Sequence, residues 1–252
     1  MRKSVCIWLV SCAMVCTATG VRADDSAKSI IEKGINAVGG ADNIAKQKTM
    51  TWKAKGTFHG LGMPVEYTGE WFIEPPTKFK GQIDADFGGM KLTFIQILNG
   101  DKGWMSAMGN IQELEGDQLS ELQNQFYEGR VAALVTLQGD AGFKIATLSE
   151  SKVGDKAAVG VKVSHEGRPD ISLFFDKDSG LLLKAARKAK DPMAGTEANQ
   201  ETLYSDYQDV GGVKRYKKMT ITRDGKPYNE MLITEWKPVD KLPDSTFAKP
   251  AQ

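Results

Sequence analysis

The sequence contains few of the residues on which catalytic and metal-binding sites depend. Its 252 residues include only three cysteines and two histidines. His59 and His165 lie about a hundred residues apart, and neither has another His or Cys at the spacing of a metal site. The Gly-x-Ser-x-Gly motif of many hydrolases and the Gly-Lys-Ser/Thr ending of a phosphate-binding loop are also missing. These absences predict a protein that is not an enzyme and that has no metal and no cofactor.

One acidic segment, Asp176-Lys177-Asp178-Ser179-Gly180, resembles the beginning of a calcium-binding loop. Such a loop needs a glycine at its sixth position and a bidentate glutamate at its twelfth. Leu181 and Arg187 occupy those positions here. The segment is therefore predicted to be a turn between two strands.

The N-terminal segment has the pattern of a secretory signal peptide. Arg2 and Lys3 are followed by an uncharged, largely apolar stretch up to Gly20 and by the small-residue cleavage signal Val21-Arg22-Ala23. We therefore predict that residues 1–23 are a signal peptide and that the protein is exported to the periplasm.

All the cysteines lie inside this segment, at positions 6, 12 and 16. Because Leu9-Val10-Ser11-Cys12 resembles a lipobox, a lipid anchor on Cys12 in the cell envelope is the alternative to cleavage before Asp24. After cleavage the chain has no cysteine, so it has no disulfide and no thiol nucleophile. Its stability must then come from a packed core.

The charges of the remaining chain are nearly balanced. Removing the signal peptide removes three basic residues and no acid, which changes the net charge from +1 to about −2. Positive and negative side chains are interspersed, without the basic stripe that nucleic-acid binding requires. We predict no nucleic-acid partner, a monomer, and a single domain over residues 24–252.

The hydrophobic period changes along this domain from that of helices to that of strands. A helix is predicted from Ser26, with Ile31 and Ile35 on its apolar face and Gly39-Gly40 at its end, followed by a short helical piece, Asp42 to Lys48. Alternating segments then predict strands. They include Thr51–His59, Val65–Ile73, Val159–Val163, Ile171–Phe175 and the pair on either side of Asp224-Gly225. The hairpin turn Gly88-Gly89 predicts a further strand, Lys91–Leu98. Repeated hairpin turns without crossover helices predict an antiparallel meander.

The middle of the chain contains one substantial helix, predicted from Asp117 to Leu137. Its apolar stripe includes Leu119, Leu122 and Phe126. The strand Lys91–Leu98 is apolar on both faces, which indicates a sheet covered on both sides. We expect the helix to provide one of these covers.

The order of several short motifs resembles that of the periplasmic outer-membrane lipoprotein-sorting, or lipoprotein carrier, superfamily. These motifs are Ala37-Val38-Gly39-Gly40, the strand Thr51–Phe58, Asn99-Gly100-Asp101-Lys102-Gly103-Trp104, Phe175-Asp176-Lys177-Asp178-Ser179-Gly180-Leu181, Tyr204-Ser205-Asp206-Tyr207, Val210-Gly211-Gly212-Val213 and Asp244-Ser245-Thr246-Phe247. The resemblance implies a mainly β (α+β) fold, a curved antiparallel half-barrel with an N-terminal and a middle helix covering its concave face. It also implies an apolar cavity that takes up lipid acyl chains. Residues for handing cargo to a partner protein are not identifiable.

Three functions are compatible with these observations. The first is an exported carrier or binding protein for a lipid, a lipoprotein acyl chain or another apolar ligand, with a lipoprotein or envelope protein as a further partner. The second is a structural or protein-interaction module with a filled core, and the third is a hydrolase with an unrecognised site. For the first, the candidate cavity residues are large apolar side chains. They are Trp52, Phe58, Leu61, Met63, Trp71, Phe94, Leu122 and Phe126.

Overall fold

The computed structural model describes residues 23–138, 142–191 and 195–251. The predicted signal peptide up to Arg22 and its cysteines lie outside these residues. The helices are α1 (Ala23–Ala37), α2 (Ala41–Lys46) and α3 (Gly116–Ala132), with 3₁₀ turns at Val135–Gln138 and Asp244–Phe247. The strands are β1 (Met50–Phe58), β2 (Val65–Glu74), β3 (Lys78–Phe87), β4 (Met90–Asn99), β5 (Lys102–Ala107), β6 (Asn110–Leu114), β7 (Lys144–Val153), β8 (Lys156–Ser164), β9 (Ile171–Asp176), β10 (Leu182–Lys190), β11 (Glu197–Ser205), β12 (Gln208–Val210), β13 (Val213–Arg215), β14 (Lys218–Arg223) and β15 (Lys226–Pro238).

Thirteen of these strands form one antiparallel sheet in the order β6-β5-β4-β3-β2-β1-β15-β14-β11-β10-β9-β8-β7. Each half is a meander of hairpins, and the halves meet where β1 pairs with β15. The edge strands β6 and β7 are not paired with each other, so the sheet is not a closed barrel. The predicted mainly β fold with a half-barrel sheet is confirmed.

The concave face of the sheet is covered by helices. On α1, Ala27, Ile31 and Ile35 pack into a core cluster with Val161 of β8 and Leu173 of β9. The helix already begins at Ala23, before the expected start at Ser26. It ends as predicted at the glycine pair, where the Gly40 N–H donates to the Ile35 carbonyl at 2.9 Å.

Helix α3 packs against both halves of the sheet, on β5 in one half and on β9 and β10 in the other. Leu122 and Phe126 pack against Leu98 of β4, as the apolar stripe predicted. The predicted helix end at Leu137 was wrong, because α3 stops at Ala132. Leu134 has a φ of 62° and is 2% exposed, so the chain turns there and directs this side chain into the core.

The convex face of β4 is covered by the C-terminal segment. Ile97 packs there with Trp104, Leu242 and Phe247, on the side opposite Leu98. Phe247 is fully buried. These contacts explain why β4 is apolar on both faces.

A small separate hairpin, β12–β13, lies against the helix pair α1–α2. The Lys214 N–H donates to the Val38 carbonyl at 2.8 Å. The Gln47 side chain donates to the carbonyls of Val210 and Gly211 at 2.8 and 2.9 Å. Two of the motifs noted in the sequence, Val38-Gly39-Gly40 and Gly211-Gly212-Val213, thereby come into contact.

Candidate functional site

A cavity of about 240 Å³ lies between the concave face of the sheet and the helices, where the core clusters of the two halves meet. Most of its lining is apolar or aromatic. The lining residues are Val38, Ile44, Met50, Trp52, Trp71, Ile73, Phe79, Leu122, Gln125, Phe126, Gly129, Ala132, Ala133, Leu134, Leu182, Tyr204, Tyr207, Val213, Lys214, Arg215, Tyr216, Met219, Met231 and Trp236. For comparison, an engineered apolar cavity of about 150 Å³ is large enough to bind benzene.

A row of aromatic rings crosses the sheet beneath the cavity. Trp52 on β1 lies between Trp71 on β2, with ring centroids 5.7 Å apart, and Trp236 on β15, at 5.3 Å. The row continues from Trp236 to Tyr216 at 5.4 Å and from Tyr216 to Tyr204 at 4.8 Å. The strand register creates the row, because Trp52 is the direct partner of Trp71 on one side and of Trp236 on the other.

Glycines give the Trp71 indole the space to lie along the sheet. A Cβ atom at Gly69 would lie 2.7 Å from Cη2 of Trp71. A Cβ atom at Gly81, the β3 partner of Trp71, would lie 3.0 Å from the indole nitrogen. A side chain at either position would therefore displace the ring, and with it one end of the aromatic row.

Small residues at the end of α3 and directly after it leave the cavity open on its helical side. Gly129, Ala132 and Ala133 all contribute to the lining. Gly129 is exposed, and a Cβ atom placed there would meet nothing within 4 Å. These three small residues therefore leave space above the aromatic row.

The charged side chains of the lining are both basic, and both belong to β13. Lys214 is exposed, whereas Arg215 is half-buried and its Nε atom is shielded from solvent without a hydrogen-bond partner. Arg215 Nη2 donates to the Gln47 carbonyl at 3.3 Å. Burial lowers the pKa of Arg215, and the nearby Tyr216 offsets part of this effect.

The tyrosines of the lining are neutral over a wide pH range. Burial raises the pKa of Tyr216 to about 12 and that of Tyr204 well above its ordinary value. Burial also raises the pKa of Tyr207, whose hydroxyl donates to the Leu182 carbonyl at 2.7 Å. These groups supply polar edges to an apolar wall without adding negative charge.

Four of the predicted cavity residues lie together in the lining, and four lie elsewhere. Trp52, Trp71, Leu122 and Phe126 line the cavity. Phe58 and Phe94 pack beside it, against the core cluster that contains Trp71. Leu61 and Met63 lie in the β1–β2 turn and are 58% and 55% exposed.

Several lining residues were not among the candidates from the sequence. They include Tyr204, Arg215, Tyr216, Met219, Met231 and Trp236. The alternation around Asp224-Gly225 indicated that Met219, Met231 and Trp236 belong to strands. It gave no indication that β15 pairs with β1 and so brings Trp236 beside Trp52.

The described ranges also show where the two histidines and the acidic side chains lie relative to a metal site. Within residues 23–138, 142–191 and 195–251, no group of three or more His, Cys, Asp or Glu side chains is arranged to hold a metal ion. The His59 Nε2 atom lies 3.7 Å from a Glu230 carboxylate oxygen, and His165 lies beside Phe143 with ring centroids 4.9 Å apart. No helix in these ranges is long and apolar enough to cross a bilayer.

The fold is similar to that of several solved bacterial proteins. One is a LolA superfamily protein from Nitrosomonas europaea, with a TM-score of 0.58 and 12% identity over 88% of this chain and 97% of that chain. A putative outer membrane lipoprotein-sorting protein domain from Vibrio parahaemolyticus has a TM-score of 0.56 and 11% identity over 90% of this chain and 97% of that one. A DUF1329 family protein from Desulfovibrio piger has a TM-score of 0.58 and 12% identity, with coverage of 88% and 97%.

At the sequence level, no protein-family model and no curated protein matches the chain. The likeness to the solved structures therefore concerns the fold. The fold that the sequence resemblance to the lipoprotein-sorting superfamily implied is confirmed.

Proposed function

We propose, from a fold shared with lipoprotein-sorting proteins, that this chain is an exported, non-catalytic carrier or binding protein for an apolar acyl chain. The ligand would be a lipid or the acyl chain of a lipoprotein, and the periplasm would be the site of action. The observation that carries the proposal is the cavity between the sheet and α3, with its row of aromatic rings.

The energetics of such a cavity suit an acyl chain. Each methylene group that leaves water contributes roughly 0.8 kcal/mol, so a long chain needs few polar contacts to bind. Trp71 and Met231 present large buried apolar surfaces, and methionine adapts its shape to irregular ligands. The small residues at the end of α3 keep the space above these side chains free of protein atoms.

The solved relatives of similar fold support the assignment without identifying the ligand. The Vibrio parahaemolyticus domain is described as a putative outer membrane lipoprotein-sorting protein domain. A shared half-barrel with helices on its concave face is compatible with a carrier role here. The predicted signal peptide supports export, and a lipid anchor at Cys12 remains the alternative mode of attachment to the envelope.

The tryptophans offer a direct test of binding in the cavity. After loss of Trp8 with the signal peptide the chain contains four tryptophans, of which Trp52, Trp71 and Trp236 line the cavity. A brominated fatty acid bound there quenches fluorescence on contact. We expect saturable quenching of most of the tryptophan emission when the delipidated protein is titrated with dibromostearic acid.

A matched pair of variants on α3 shows whether the quenching comes from this cavity. Gly129→Phe adds a ring in open space at the lining and should weaken binding by about tenfold or more, since it competes for the apolar volume. Ser120→Phe adds the same ring at an exposed position outside the lining and should bind like the wild type. If the wild type shows no saturable quenching, the carrier proposal is wrong and the structural-module alternative replaces it. Equal binding by both variants would place the ligand elsewhere.

A further inference from the structure

Two arginines of the fold, Arg187 and Arg215, differ in their partners. Arg187, on β10, is enclosed by carboxylates. Its Nη2 atom lies 2.6 Å from Glu121 Oε1, and its Nε atom lies 2.6 Å from Glu128 Oε2. Arg215 has its one hydrogen bond in the described residues with a neutral carbonyl, that of Gln47, at 3.3 Å.

At Arg187, the fold supplies two carboxylates as partners for a buried guanidinium. Hydrogen bonds and charges from Glu121 and Glu128 outweigh the effect of burial and raise the pKa of Arg187. For Arg215, burial is the dominant influence, and it lowers the pKa. A guanidinium stays charged at neutral pH, so Arg215 presents a positive charge whose donors are largely unused.

The surroundings of Arg215 are suited to a negative group that enters from the cavity. The whole chain has 33 basic and 32 acidic residues, yet the cavity lining contains Lys214, Arg215 and no acid. After burial, Glu128 contributes to the raised pKa of the lining residues Tyr204 and Tyr216, but its carboxylate accepts hydrogen bonds from Arg187, Gln200 and Thr202. No acid of the lining itself competes for Arg215.

The position of the guanidinium is fixed by the docked hairpin. Lys214, its neighbour on β13, is held by the backbone hydrogen bond to Val38. The carbonyl that Arg215 contacts belongs to Gln47, whose side chain also holds the hairpin turn at Val210 and Gly211. The cation thus stands at a fixed place on the wall of an apolar cavity, where an ion pair is screened less than in bulk water.

We propose that the ligand of this cavity is an acyl lipid with an anionic oxygen headgroup, a carboxylate or a phosphate, and that Arg215 binds that headgroup. This inference builds on the proposed function, in which the acyl chain occupies the apolar part of the cavity. A planar guanidinium donates to two oxygens of such a headgroup at once. Lys214 adds a second positive charge at the exposed part of the lining.

The experiment compares ligands that share one acyl chain and differ in headgroup. Dibromostearic acid, its methyl ester and the corresponding lysophosphatidic acid are titrated into the delipidated protein, with tryptophan quenching as the readout. In the wild type, the anionic ligands should bind at least about tenfold more tightly than the ester, as expected for a hydrogen-bonded ion pair. The tighter of the two anions identifies the headgroup class.

Two variants assign the preference to one side chain. Arg215→Leu should weaken binding of the anionic ligands to the level of the ester and leave the ester unaffected. Lys218→Leu removes a neighbouring exposed charge outside the lining and should preserve the preference. The melting temperature of ligand-free Arg215→Leu should equal or exceed that of the wild type, because an incompletely paired charge destabilises a folded protein.

The experiment distinguishes a failure of the headgroup inference from a failure of the proposed carrier function. If the acid and the ester bind the wild type equally, or if Arg215→Leu weakens both by the same factor, the headgroup inference is wrong and the carrier function stands. If neither ligand binds, the proposed function itself is wrong. Competition by inorganic phosphate alone, lost in Arg215→Leu, would show a site for free anions and would also overturn the inference.

Discussion

At the residue scale, the fold contains a buried cluster of charged and polar side chains around Arg187. Its side chain is fully buried between Glu121 and Glu128 of α3, while Gln200 and Thr202 of β11 donate to Glu128 at 3.0 and 2.8 Å. Every polar group has a partner, which is the condition for tolerating ions in a core. The cluster joins α3 to the half of the sheet that contains β10 and β11.

Replacing Arg187 should therefore destabilise the protein strongly. Arg187→Ala leaves two buried carboxylates without their cation, and we expect the free energy of unfolding to fall by about 3–5 kcal/mol. Lys184→Ala on the same strand removes the more exposed ion pair with Glu201 and should cost roughly 1 kcal/mol or less. Urea denaturation of both variants tests the difference. Equal losses would show that the buried cluster does not anchor α3.

Asp176, the first residue of the segment that resembles a calcium-binding loop, stabilises the turn between β9 and β10. Its Oδ1 atom accepts from the N–H groups of Ser179 and Asp178 at 2.8 and 3.0 Å. The N–H of Ser179 is the main cause that lowers the pKa of Asp176, against the opposing effect of burial. The ionised carboxylate thus stabilises the turn between β9 and β10 by accepting these two backbone hydrogen bonds.

This turn predicts a defined pH dependence. Because the pKa in the folded state is below that in the unfolded state, the stabilisation is complete above the unfolded-state pKa and is lost as the pH falls through the folded-state pKa. Asp176→Asn should lower the free energy of unfolding at neutral pH by about 1–3 kcal/mol and should flatten its decline below about pH 4. Asp178→Asn, an exposed acid of the same turn, is the control. If the free energy of unfolding has the same pH dependence in the wild type and in Asp176→Asn, the Asp176 carboxylate does not stabilise the turn in this way.

At the scale of elements, the contact between the helix pair and the β12–β13 hairpin depends on glycine. Gly39 has a φ of 122°, and a Cβ atom there would lie 2.1 Å from the Gly212 carbonyl oxygen. No other residue fits this approach without moving the hairpin. Since β13 carries Arg215, the position of the cavity cation depends on this backbone contact.

We expect Gly39→Ala to loosen the hairpin. The strain and the clash should lower the free energy of unfolding by about 1–3 kcal/mol and increase hydrogen exchange at the Lys214 amide, which donates to Val38. Gly40→Ala is the matched control, because its φ of 89° imposes strain but its Cβ atom would meet nothing within 4 Å. If the Lys214 amide stays equally protected in both variants, the close approach at Gly39 is not what holds the hairpin.

Local patterns predicted most elements because each element follows its own periodicity. The alternation in β1 and β2, the glycine pair after α1 and the stripe on α3 are all readable within short windows of sequence. The end of α3 was missed because Leu134 is a good helix former, and only the surrounding core draws its side chain inward through a left-handed turn. At Leu134, tertiary packing therefore outweighs helix propensity.

The candidate site was less predictable because it depends on long-range pairing. Trp52 and Trp71 share a hairpin, so their proximity follows from the local register. Trp236 joins them only through the β1–β15 pairing. Arg215 comes from a hairpin outside the main sheet, and nothing in its sequence neighbourhood distinguishes it from a surface arginine.

At the scale of the whole molecule, the sheet order has a consequence for the time course of folding. β1 and β15, the first strand and the last, are paired at the centre of the sheet. During synthesis from the N-terminus, each meander can form early from local hairpins, but the seam between them must wait until residues 226–238 are available. Contacts of such sequence separation form late and slowly. Until then, β1 and β14 are temporary edges with unpaired backbone groups, where strand-to-strand aggregation can begin.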